Sequence, residues 1–85
     1  MVKSVYIIET KYKTKYIKYV ALNKIAVDTN FVSFKGVEIN DDKDLLDYKT
    51  IDNKIKESIE NNNYIERYIP WVLILQIQLK RYKEE

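Results

Sequence analysis

Seven of the nine residues from position 11 to position 19 are Lys11, Tyr12, Lys13, Lys15, Tyr16, Lys18 and Tyr19, with only Thr14 and Ile17 between them. Lysine neutralises phosphate, and an outward tyrosine ring offers a face on which an unpaired base stacks, each stacked base contributing about 1–3 kcal/mol. On two strands joined at Lys13-Thr14 these side chains would make a surface for single-stranded RNA or DNA. The same pattern has a plainer reading. Tyr12, Tyr16 and Tyr19 would then be half-buried sheet residues whose hydroxyls reach water, and the lysines would blunt an edge strand against aggregation.

A second cluster is acidic: Asp41, Asp42, Asp44 and Asp47 fall within seven residues. Such a block can imitate a phosphate backbone or meet a basic protein partner. Asn40, Asp42 and Asp44 alternate as at the start of an EF-hand loop. However, Leu45 stands where the turn needs Gly and Ile51 where a bidentate Glu is required, so no calcium site is expected. Paired-carboxylate glycoside chemistry finds no cleft in a single loop either.

Catalytic equipment is otherwise sparse. The chain has no His and no Cys, which removes the commonest general base, the thiolate nucleophile and the usual zinc ligands. Ser4, Ser33 and Ser58 have no imidazole to activate them, and a single glycine, Gly36, cannot form a phosphate-cradling Gly-rich loop. The expectation is a binding protein with no enzymatic activity, no cofactor and no metal.

The elements that must carry these residues follow from periodicity. Val5 to about Tyr12 and Lys15 to about Leu22 are dense in Val, Ile and Tyr and predict two strands around a hairpin turn. Asn23-Lys24 and Asp28-Thr29-Asn30 predict further turns. Within Phe31–Ile39 the apolar positions shift from 32 and 34 to 37 and 39, which predicts a β-bulge at Gly36. Asn40 to Asp47 predicts a solvated loop. Ile51, Ile55 and Ile59 then give a helical stripe, capped by Asp47 or Thr50, supported by Asp52–Lys56 and Lys56–Glu60 spacings and stopped by Asn61-Asn62-Asn63. Tyr64 to Ile69 is a connecting extended segment. Pro70 opens a last strand with Trp71, Leu73, Leu75, Ile77 and Leu79 on one face and Trp71 as a core anchor, and a charged mobile tail occupies about 80–85.

At 85 residues and 46% hydrophobic content, these elements predict one domain over 1–85. The expected class is α+β: a small antiparallel sheet of about five strands, coiled or partly closed into a barrel, with one short helix before a central last strand. The second face of that strand offers a surface for a homodimer. Absent cysteines favour an intracellular, cytoplasmic site, and the apolar runs are too short for a signal peptide or a bilayer span. Charge is uneven: +5 over residues 1–27, −4 over 28–63 and +1 over 64–85. The expectation is a non-catalytic nucleic-acid-binding module working through the Lys/Tyr hairpin. The alternative is a small protein-binding regulator acting through the acidic block or self-assembly. Regulators of that kind are often encoded by viruses or mobile elements, and the Lys, Ile, Tyr and Asn usage suits an AT-rich genome.

Overall fold

The computed structural model describes residues 2–22 and 24–83 and shows a six-stranded antiparallel sheet curled into a half-barrel, with one helix. The strands are β1 (Val2–Tyr12), β2 (Lys15–Ala21), β3 (Ala26–Val27), β4 (Phe31–Ile39), β5 (Ile65–Pro70) and β6 (Ile74–Lys83). The helix α1 (Tyr48–Glu60) follows β4, and 3-10 turns occupy Asp42–Leu45 and Trp71–Leu73. β1 pairs with β2 on one side and β6 on the other, β2 and β3 both pair along β4, and β5 pairs with the other edge of β4. No described helix is long and apolar enough to cross a membrane.

Alternation along the strands builds two cores, one on each face. Val5 and Ile7 of β1, Val20 of β2, and Val37 and Ile39 of β4 meet Ile51 and Ile55 of α1, with Leu45 and Tyr82 closing the cluster. Ile8, Tyr19, Ala21, Val32 and Phe34 form a second cluster on the face away from the helix, with Ile17, Ile69, Ile74 and Ile77 packed against it. Each fully buried Ile or Val stabilises the fold by about 1.5–3 kcal/mol. The helix is fixed over its face by Asp47, whose carboxylate accepts from the Thr50 backbone N–H at 2.8 Å and the Thr50 hydroxyl at 3.0 Å. At its other end Asn62 adopts φ 59, and the Asn63 N–H reaches back to the Ser58 carbonyl at 2.7 Å, closing the last turn.

Several expectations need correction. The last strand is not central: β6 pairs only with β1 and forms an edge. Residues 80–83 are not a mobile tail, because they pair with β1 and Tyr82 is buried, its hydroxyl donating to the Leu45 carbonyl. Glu84 and Glu85 lie outside the described residues, as does Asn23 of the expected Asn23-Lys24 turn. The segment before Pro70 is a strand in its own right, so the helix precedes two strands rather than one, and β3 adds a sixth short strand to the expected five. Trp71 does not anchor the core. It sits at the corner between β5 and β6, partly exposed, and its indole N–H donates to the Asp28 carbonyl at 2.8 Å. Ile59 is exposed, one turn past the part of α1 that the sheet covers.

The bulge also lies elsewhere. Pairing of β4 with β5 is regular from Phe31 to Gly36, its last pair, whereas β1 and β6 slip by one residue between Glu9 and Thr10. The shift of apolar residues at Gly36 marks a change of core: Val32 and Phe34 belong to the cluster away from the helix, Val37 and Ile39 to the one beneath it. Gly36 is needed for close approach, since a Cβ there would collide with the Val20 carbonyl oxygen.

Candidate functional site

Beyond Thr10 and Ile17 the first two strands leave the sheet. The β1–β6 ladder ends at Thr10 and the β2–β4 ladder begins at Lys18, so Lys11, Tyr12, Lys15 and Tyr16 pair only with one another. The result is a two-stranded arm. Its root is fastened by the buried Thr10 hydroxyl, which donates to the Ile17 carbonyl at 2.9 Å. Its tip is the Lys13-Thr14 turn, with Lys13 at φ 58, a conformation that costs a residue with a Cβ about 1–2 kcal/mol.

Tyr12 and Tyr16 are 56% and 66% exposed. Cross-strand register places Tyr12 beside Lys15 and Tyr16 beside Lys11, so the two rings lie on opposite faces of the arm. The Lys11 ammonium lies 5.1 Å from the Tyr16 ring centre and that of Lys13 5.5 Å from Tyr12. At exposed sites such contacts are worth about 0.5–1 kcal/mol, less than a stacked base, so a ligand can displace them. Among the described residues no carboxylate lies within ion-pair distance of Lys11, Lys13 or Lys15.

Two members of the sequence cluster do not belong to this surface. Tyr19 is only 8% exposed, packed against Phe34 at 5.6 Å between ring centres and beneath the Arg67 guanidinium at 4.9 Å. Burial raises its phenol pKa above the ordinary value, with the Arg67 charge opposing. The ring is therefore structural and no stacking platform. Lys18 donates to Asp42 at 2.8 Å and lies 3.7 Å from Glu9, and the hydrogen bond to Asp42 is the main reason its pKa is raised. Its charge is already engaged.

The acidic block is likewise occupied. Asp41 accepts from the Lys43 N–H at 3.0 Å and so caps the first 3-10 turn, Asp42 holds Lys18, Asp44 lies 3.2 Å from Lys54, and Asp47 caps α1. The Thr50 N–H bond holds the Asp47 carboxyl below its ordinary pKa. Asp42 thus ties the 40s segment to β2 and Asp44 ties it to α1, while Asp41 and Asp47 cap its local turns. No group of three or more metal-ligating side chains comes together among the described residues.

The basic residues at the end of β6 do not extend the arm. Lys80 and Lys83 pair with Val5 and Val2, at the far end of β1, about 25–35 Å from the turn at the strand rise of about 3.3 Å per residue. A cleft of about 300 Å³ between α1 and β4–β5 is lined by Glu38, Ser58, Asn63 and Arg67, and its charges are of both signs. The exposure of Tyr12 against the burial of Tyr19 has no signal in the sequence, since cross-strand register puts both on one face of the β1–β2 ladder and only Tyr19 lies where β4 and β5 cover it. The engagement of Lys18 has none either, since Asp42 is 24 residues away. No family model, no curated protein and no solved structure matches this chain.

Proposed function

We propose that this chain is a non-catalytic module that binds single-stranded nucleic acid through the β1–β2 arm. The observation that carries the reading is a contrast in charge. Lys11, Lys13 and Lys15 project on a narrow ribbon with no acidic partner among the described residues, while the acids of the 40s block are held by Lys18, Lys54 and backbone N–H groups. A flexible strand crossing the tip meets one tyrosine ring on each face of the ribbon, and the lysines that cover those rings swing to phosphate as bases replace them.

Single strands are favoured over duplex because the arm offers aromatic faces and no arginine fork suited to a base pair's edge. The engaged acids weaken the rival reading, a protein-binding regulator using Asp41, Asp42, Asp44 and Asp47. The test is fluorescence anisotropy with labelled mixed-sequence RNA and DNA oligonucleotides at low salt. Binding that is lost on changing Lys11, Lys13 and Lys15 supports the proposal; no binding at low salt refutes it.

A further inference from the structure

Among the described residues, β6 is the longest strand with an unpaired outer edge. β6 pairs only with β1, and among the described residues no backbone or side-chain hydrogen bond reaches its other side. Of the other edge strands, β3 has only two residues, and β5 is short, carries Glu66 and Arg67 and ends at Pro70, features that discourage strand addition. β6 has the opposite character. From Ile74 to Leu79 its sequence Ile-Leu-Gln-Ile-Gln-Leu has no charge, no proline and no glycine, and Leu75, Gln76, Gln78 and Leu79 are exposed. An uncharged six-residue strand on an open edge pairs readily with another strand.

We propose that β6 pairs antiparallel with β6 of a second copy, about a two-fold axis at Ile77. The sequence is self-complementary in that register. Ile77 meets its own copy and Gln76 meets Gln78, while Leu75, the extra residue of the slip against β1, falls at the rim of this register beside Leu79, so apolar residues lie by apolar ones and amide opposes amide. The same register places Lys80 opposite Ile74 and carries Arg81 and Lys83 past the overlap. The two Lys80 side chains are then about 20 Å apart along the strands, beyond the screening length of about 8 Å, so the basic ends do not repel. This pairing uses the edge of the last strand rather than its face and is independent of what the arm binds. It produces one continuous sheet with an arm on each half.

Sedimentation of the full chain from about 1 to 500 μM reads the association. A reversible monomer–dimer equilibrium is expected. Gln76→Lys with Gln78→Lys puts like charges opposite each other in this register and is expected to weaken the dimer at least tenfold. Gln76→Lys with Gln78→Glu pairs opposite charges and is expected to restore it. Both positions are exposed, and a thermal melt of each variant checks that the monomer is intact. A wild-type chain that stays monomeric throughout, a folded Lys/Lys variant that dimerises as well as wild type, or a folded Lys/Glu variant that dimerises no better than Lys/Lys overturns the proposal.

Discussion

If the arm meets phosphate through Lys11, Lys13 and Lys15, the salt dependence of binding counts them. Three lysines on a single strand give a slope of log affinity against log salt of about −2, at roughly 0.7 per neutralised phosphate. Affinity should therefore fall about 20-fold between 50 and 200 mM salt. Lys18, held by Asp42 and Glu9, is left out of the count; if it contributed, the slope would approach about −2.8 and the loss about 50-fold. Anisotropy titrations of a labelled single-stranded oligonucleotide at four salt concentrations distinguish the two. Lys11→Ala, Lys15→Ala and Lys13→Gly are each expected to lower the slope's magnitude by about 0.7. Glycine is chosen at 13 because that backbone has φ 58 and tolerates glycine without strain. Lys18→Ala should leave the slope unchanged. A slope that survives the triple change, or that responds to Lys18 as strongly as to Lys11, would refute the assignment.

Further outcomes concern the scaffold. Gly36→Ala should cost about 1–3 kcal/mol in urea denaturation, because the atom a Cβ would strike is the Val20 carbonyl and backbone cannot step aside. Asp47→Ala should lower the melting temperature by about 4–8 °C through loss of the α1 cap, while Asp47→Asn keeps the cap. Because the folded carboxyl titrates below its ordinary value, its contribution is present above the unfolded pKa and is lost as pH falls through the folded one. Asp47→Asn should accordingly flatten the acid limb of stability against pH. Tyr82→Phe should cost about 1 kcal/mol for the lost bond to Leu45. Burial raises the Tyr82 phenol pKa, with the Asp47 charge adding to it, so its stabilisation is complete below the unfolded value near 10 and is lost as pH rises through the folded one. The Phe variant should therefore lose less stability than wild type in that alkaline range.

Local physics made much of the fold legible. The Lys13-Thr14 turn follows from the alternation on either side of it, the start of α1 from an Asp three residues before Thr50, and its end from three asparagines. What local pattern does not encode is which neighbour a face will meet. Tyr19 looks like Tyr12 and Tyr16 in composition, but Phe34 and Arg67 arrive from β4 and β5 to cover it. The apolar last strand suggested a central position. Its exposed Leu75 and Leu79 and its one-residue slip against β1 belong instead to an edge that turns a corner at Trp71. In the acidic block, spacing gave the cap at Asp47 but not the pairs with Lys18 and Lys54, which tie the 40s segment to β2 and α1.

Residue-by-residue amide shifts of the labelled chain, followed by NMR as a single-stranded oligonucleotide is added at low salt, report directly which surface is covered. The largest changes are expected from Lys11 to Tyr16, with Tyr19 and the block from Asp41 to Asp47 unmoved. Changes centred on Asp41 to Asp47 or on the end of β6, or none at all, would contradict an arm that binds nucleic acid.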